Sequence, residues 1–512
     1  MGGQLKRDSL PALGSPAAGV LRRWWAPLGL IALSAVMLLL DYDARPMQIW
    51  DESRNANNAI ELLSQHNWLV PHYGGLPDHW NTKPPLLVWL IALLLRAGAP
   101  PLLALRLPSM VAAMATVAAV YGYYRVRLRD EIGGLFSGLV LLGCLRFVGP
   151  HAGRSGDFDA LLVLFITSYV LAFHAYLEST GKARRLAVIA LFAGMTLALM
   201  TKGIAGGLAF PGLVLYAVWR RRFLSTLSDK SIWIGFAGFL TVVAAYYLVR
   251  EAADPGYLKA VLWEEVFGRY FHVIVADSPG DPIGVFYFFL VAYSPWTFLL
   301  VLALLPTARP SNLEERSLIW LCLIVALSIL LVIARSKTVL QWYLEPIFPF
   351  VALPVGSALS AIFSRGAAQS RRQWALNSGI LLLLLGMPLQ VFFDEHIRPV
   401  QIMHGDENSK LRYGSLIAEV MEEKRRSPLL LVDSGYNHPF EAVTYNAVAD
   451  FYAKVAEQHG IEVKVVPPGV ELAAGTFVGT CDPQSRNWLE QTRAMQVTFT
   501  NQWCALGRIG KG

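Results

Sequence analysis

Apolar runs long enough to cross a bilayer recur from Trp25 to about Phe393, separated by short loops in which the basic residues cluster. A backbone surrounded by lipid must satisfy its own hydrogen bonds, so runs of this length and number imply a polytopic α-helical membrane protein. Hydrophobic residues make up 54% of the chain and charged ones 16%, too little charge for a soluble protein of 512 residues. The net charge of +7 sits in the loop clusters, where it sets orientation. It is not a nucleic-acid footprint. Trp25–Leu40 follows Arg22-Arg23 without a convincing cleavage site, and reads as a retained anchor.

Length and hydropathy place about eleven spans, at roughly 24–41, 104–124, 132–150, 158–177, 186–201, 203–219, 232–250, 283–305, 317–334, 339–362 and 374–393. With the N-terminus inside, the cytoplasmic loops carry Arg22/Arg23, Arg125/Arg127/Arg129, Lys182/Arg184/Arg185, Arg220/Arg221/Arg222/Lys230, Arg309/Arg316 and Arg365/Arg371/Arg372. The alternation holds only if Pro84–Leu95 does not cross. That stretch is about a dozen residues long, against the roughly 20 a span needs, so it is expected at the outer interface with Pro84-Pro85 in its first turn.

Three parts follow: a disordered cytoplasmic start over 1–23, a transmembrane domain over 24–394 and an extracytoplasmic small α/β domain over 395–512. The first outer loop, 42–103, carries interfacial helices. In the tail, short apolar strands alternate with amphipathic helices at Pro428–Val432, Glu441–His459, Glu462–Val466, Thr476–Thr480, Arg486–Arg493 and Val497–Ala505. Cys144 and Cys322 read as buried thiols, whereas Cys481 and Cys504 fall where an oxidising compartment would let them pair.

Four segments place charges beside apolar helices on the same expected outer face: Trp50-Asp51-Glu52, Asn81–Pro85, Gly153–Asp159 and Thr201-Lys202-Gly203. Acids and bases converging at a membrane surface suggest a site for an anionic, membrane-bound substrate. Lys83 and Lys202, flanked by Pro or Gly, read as phosphate-binding groups, with Arg54, Arg269 and Lys337 as further candidates. Arg45, Arg106 and Arg250 read as helix-end side chains lifting their charge to the headgroups. Asp51, Glu52, Asp157 and Asp159 are the catalytic candidates, although each of these acids also stands where it could cap a helix. His66, His72, His79, His151 and His272 lie on the same face at no zinc spacing. A divalent metal is compatible with His72, His79, His151 or His272, but no cofactor is required.

These segments, in order and at this spacing, resemble the GT-C superfamily, in the branch of protein O-mannosyltransferases and lipid A aminoarabinose transferases. The matching residues are Asp51-Glu52, Lys83-Pro84-Pro85, Arg154-Ser155-Gly156-Asp157-Phe158-Asp159, Thr201-Lys202-Gly203 and Ser336-Lys337. Thr82 stands where the family often has an acid. The resemblance implies an inverting glycosyltransferase in the bacterial inner membrane that takes sugar from a polyprenyl-monophosphate donor. It would act on a lipid, glycan or protein acceptor at the outer face. A transporter or flippase for a lipid-linked anion, or a scaffold binding one without chemistry, is the alternative. The first predicts internal symmetry and midplane charges, and the sequence shows neither.

Overall fold

The computed structural model describes residues 16–272, 281–365, 370–397, 412–422, 428–437 and 444–510. The first fifteen residues of the expected disordered start lie outside that set. Among the described residues, seven helices are long and apolar enough to cross a membrane: Pro101–Leu128, Asp159–Leu177, Gly181–Gly207, Lys230–Ala253, Leu313–Ala334, Gln341–Ser364 and Arg371–Ile397. Each coincides with an expected span. Leu86–Arg96 has 11 residues, begins directly after Pro85, and is too short to cross unaided.

Two expected spans are interrupted. The stretch 283–305 is a pair of helices, Pro282–Ala292 and Trp296–Leu304, bent by 94°. Pro295 lies at the break and offers no N–H to carry the ladder across. The stretch 132–150 stops as a helix at Leu142, and a separate turn, Leu145–Val148, follows. There the Trp296 indole donates to the Gly143 carbonyl at 2.9 Å, so the two interruptions meet. Reaching eleven spans would require the bent pair and three of the four shorter apolar helices to cross as well.

The two ends of the bundle differ in chemistry. At one end basic loop residues pair with acids of neighbouring loops: Arg127 with Glu314, Arg184 with Asp229 at 2.8 Å, and Arg220 with Glu178 at 2.9 Å. At the other end the helices beginning at Asp159 and Gln341 pack together, the one ending at Lys202 meets Leu86–Arg96 of the first loop, and the first-loop helix Asp51–Ser64 meets the C-terminal tail.

The tail forms a five-stranded sheet in the order Val463–Val466, Leu429–Val432, Phe477–Thr480, Ala505–Ile509, Met495–Thr500. Its first three strands are parallel, and the last two join antiparallel. The segment expected as one element over Val497–Ala505 instead spans the end of one strand, a hairpin turn over 501–504 and the first residue of the next strand. Asn501 closes the turn by accepting from the backbone N–H groups of Trp503 and Cys504 at 2.9 and 2.7 Å. Helix Ala447–Gln458 starts later than expected, because Asn446 caps it through the N–H groups of Val448 and Ala449. Cys481 and Cys504 are disulfide-bonded, and Cys144 and Cys322 are buried thiols. The tail docks through apolar contact: Met47, Ala56 and Ile60 of the first loop share one buried cluster with Tyr413, Leu416 and Phe451.

Candidate active site

Helix Asp51–Ser64 carries the first acids, and its burial is unusual for its composition. Residues Glu52 through Leu62 are all buried, six of them charged or amide side chains. A polar group out of water must find partners, and these do. Glu52 takes two hydrogen bonds from the Arg106 guanidinium, at 2.7 and 2.9 Å, and one each from the backbone N–H of Gln48 and Gly156. Arg54 forms a two-pronged contact with Asp78 at 2.7 and 2.8 Å. Three expectations are corrected by these contacts. Glu52 is a structural anion, not a catalytic one, because its oxygens are committed to Arg106 and two backbone amides. Arg54 is committed to Asp78 rather than open to a phosphate. Arg106 is 2% exposed and does not reach for headgroups; fully buried Arg250 likewise pairs with Asp254.

These pairs predict an acid limit to stability. Burial alone would raise the Glu52 and Asp78 carboxyls, but Arg106 and Arg54 respectively hold them below their ordinary values of 4.5 and 3.8. With a depressed folded value, the stabilisation is complete above those ordinary values and is lost as pH falls through the folded ones. The melting temperature should therefore drop from about pH 4.5 downward. In Glu52→Gln the drop should be shallower from a lower plateau, and an unchanged profile would refute the assignment.

Asp51 is not a cap. Trp50 occupies the N-cap position, leaving Asp51 as the first helical residue, half-buried and facing the loop that carries the second acids. Gly156 allows that loop to approach: a Cβ there would lie 2.5 Å from the Leu105 side chain, and its carbonyl accepts from Asn55 at 2.9 Å. As a result the ligand atoms of Asp51, His151 and Asp157 lie within 4.8 Å of one another. Nδ1 of His151 is 3.0 Å from Asp157, and Trp342 stacks on the imidazole at 3.8 Å between centroids. Burial pushes the Asp157 carboxyl up to about 6 against the pull of His151. Burial opposes charge on His151 too, yet its acidic neighbours, Asp157 first, hold it above its ordinary value. Neighbouring Arg154 does not face the cleft. It caps the first helix, donating to the carbonyls of Met37, Leu38, Leu40 and Asp41 at 2.8–3.3 Å.

The lysines close the other side. Lys202 donates to both oxygens of Asp159 at 2.6 and 2.7 Å, and its Nζ lies 5.6 Å from the Tyr343 ring. Gly203, at φ +53°, turns the chain so that it packs against Pro84, which brings the Lys83 and Lys202 segments together. Lys83 is 5.5 Å from the Phe158 ring and 3.7 Å from Glu265. Glu265 also accepts from the Thr82 hydroxyl at 3.0 Å, so a carboxylate beside Lys83 comes from helix Leu262–Gly268. Lys337 is exposed, and the Arg269 side chain lies outside the described residues. Of the four histidines considered for metal, only His151 joins an acidic cluster among the described residues. His72 is buried with its carbonyl accepting from Asn58, His79 pairs with Asp254 at 2.8 Å, and His272 is exposed beside Trp263. Sequence reasoning missed Trp342 as the cover of His151. It also missed Glu345, which is buried with one carboxyl oxygen making no hydrogen bond among the described residues. Pro346 and Pro349, just beyond both residues in an apolar run, were the available signal.

With this geometry in place, the known relatives can be weighed. The model of the dolichyl-phosphate-mannose-protein mannosyltransferase family matches residues 82–249, from the Lys83 segment through Lys202. An undecaprenyl phosphate-alpha-4-amino-4-deoxy-L-arabinose arabinosyl transferase of Pseudomonas fluorescens is 28% identical over 73% of this chain and 66% of its own length. Its counterpart in Pseudomonas savastanoi is 25% identical over 67% and 63%. The match thus spans slightly less than two thirds of those relatives. The crystal structure of ArnT from Cupriavidus metallidurans bound to undecaprenyl phosphate superposes with a TM-score of 0.67 at 15% identity, over 95% of this chain and 98% of that one. The chain has the fold of that ArnT structure. The apo oligosaccharyltransferase of Archaeoglobus fulgidus follows at a TM-score of 0.50 and 11% identity, over 85% of this chain and 64% of that one. In this chain Asp51, Lys83, Asp157, Asp159 and Lys202, the core of the resemblance read from sequence, come together at one end of a multi-pass membrane bundle.

Proposed function

We propose that the chain is an inverting glycosyltransferase that moves a sugar from a polyprenyl-monophosphate donor to an acceptor at the outer face of a bacterial inner membrane. Its N-terminus is cytoplasmic and its C-terminal domain lies outside. The observation that carries this reading is the convergence, at the membrane-facing end of the first loop, of acids and lysines from four separate segments. Lys202 is 2.6 Å from Asp159, Lys83 is 5.5 Å from the intervening Phe158 ring, and Asp157 belongs to the cluster with Asp51. The donor for which the relatives are named, an undecaprenyl-phosphate-linked sugar, has the lipid and the phosphate such a cleft calls for.

In the reaction, the acceptor oxygen bonds to the anomeric carbon as the bond from that carbon to the phosphate oxygen breaks. The electron pair leaves with the lipid phosphate. Lys83, in a site poor in water, stabilises the charge that develops there. Asp51 receives the proton when the acceptor is a hydroxyl, and a phosphate acceptor needs no such base. Two carboxylates and an imidazole suit a hard or borderline divalent cation, and their ligand atoms, all within 4.8 Å of one another, fit that use. A bound ion would supply positive charge to offset the close carboxylates.

The test is label transfer by the purified chain in lipid, from a panel of radiolabelled polyprenyl-phosphate sugars to an envelope extract, with and without chelator. Transfer lost in Lys83→Ala is expected. Tight lipid-phosphate binding with no transfer from any donor would favour a flippase or scaffold. Activity unaffected by exhaustive chelation would remove the cation from the proposal and leave the rest standing.

A further inference from the structure

The C-terminal domain touches the catalytic loop through polar side chains as well as apolar ones, and those contacts form a continuous path. The Tyr73 hydroxyl donates to Asp450, on helix Ala447–Gln458, at 2.6 Å. The Tyr73 ring lies under the Arg54 guanidinium at 3.8 Å. Arg54 holds Asp78 with its two-pronged contact. Asp78 then accepts from the backbone N–H groups of Trp80 and Asn81 at 3.1 and 3.3 Å, and Asn81 stands two residues before Lys83. The Asn81 amide is further fixed by Asn55 and Asn58, at 3.0 and 2.8 Å. Nearby, Lys454 ties the same domain to the first-loop helix through Asn57 at 2.9 Å and Glu61 at 2.5 Å.

Such a path has a physical consequence. The segment Gly74–Lys83 opens on a two-glycine hairpin turn and the two-residue strand Leu76–Pro77 and is irregular from Asp78 onward, so its ordinary state would be mobile. A lysine at its end serves a phosphate well only if its backbone is held. Arg54 is the central holder, and its guanidinium is itself covered by Tyr73, whose hydroxyl is anchored on Asp450. We infer that Asp450 is a positioning residue for Lys83, so that the C-terminal domain sets the lipid-phosphate affinity of a cleft it does not line. The inference rests on Lys83 meeting the donor phosphate.

The probe is undecaprenyl phosphate itself, titrated into the full chain in lipid nanodiscs. Asp450→Ala should bind it about tenfold more weakly. Asp450→Asn, which keeps an acceptor for the Tyr73 hydroxyl, should bind like the unmodified chain. In a Lys83→Ala background Asp450→Ala should add nothing, since there is no lysine left to misplace. If Asp450→Ala fails to fold, Tyr73→Phe, which removes only the hydroxyl, takes its place with the same expectation. Unchanged affinity in Asp450→Ala, or a loss fully additive with Lys83→Ala, overturns the inference while leaving the role of Lys83 intact. Unchanged affinity in Lys83→Ala alone overturns both.

Discussion

Replacing Asp51 with Asn should lower the turnover of sugar transfer to a hydroxyl acceptor by about 10²–10⁴-fold, the usual worth of a positioned general base. Undecaprenyl phosphate affinity and melting temperature should stay near those of the unmodified chain. Asn keeps the volume of the side chain and its place as the first residue of the helix, so what is removed is the ability to accept a proton. The neighbouring Glu52→Gln should behave in the opposite way. Glu52 is buried against Arg106, and neutralising it leaves a charged guanidinium out of water without its carboxylate, so stability falls and the rate per folded molecule changes little. Two adjacent acids thus separate cleanly in one experiment. If Asp51→Asn transfers sugar at the original rate to a hydroxyl acceptor, Asp51 is not the base. If it fails through loss of folding, Asp51 is a structural acid like Glu52.

That distinction was not legible in the sequence. Asp51-Glu52 stood out as charge beside a span, but the partner of Glu52 lies 54 residues away. Arg106 sits inside an apolar run, where the simplest reading is a side chain that snorkels. Arg54 and Asp78 were hidden in the same way, since they stand 24 positions apart, one on the helix Asp51–Ser64 and the other just after the short hairpin His72–Pro77, with no periodicity that would announce a pairing. What could be read came from constraints that act locally. Seven spans were located because lipid demands a given length of apolar helix, and the parallel strands of the tail because each is a short apolar run between turns. The bend at Pro295 escaped because a hydropathy window averages across it. The Lys83, Lys202 and Asp157 positions were singled out because they are polar residues flanked by Gly or Pro at the mouths of helices, and the fold brings their segments near one another. The fold then showed why those glycines matter: Gly156 admits the acidic loop to the first helix, and Gly203 turns the Lys202 segment onto Pro84.

Lys202→Met is the substitution expected to damage the protein most, by about 3–5 kcal/mol, because it strands the Asp159 carboxylate in the interior. Both partners are nearly inaccessible, at 8% and 3% exposure, and they are joined by two hydrogen bonds. A single variant therefore cannot tell whether Lys202 serves the phosphate or only Asp159. The pair can. Lys202→Met with Asp159→Leu replaces a buried ion pair with apolar side chains of similar bulk, a change that is commonly neutral or stabilising. Thermal unfolding in detergent should show most of the lost stability restored. Sugar transfer and undecaprenyl phosphate affinity should remain low, because the cleft has still lost a cation that stands beside Tyr343 and shares its wall with the Lys83 segment. A double variant that folds, binds and transfers normally would make the pair a structural strut. Phosphate recognition would then fall to Lys83 among the cations the described residues place in the cleft.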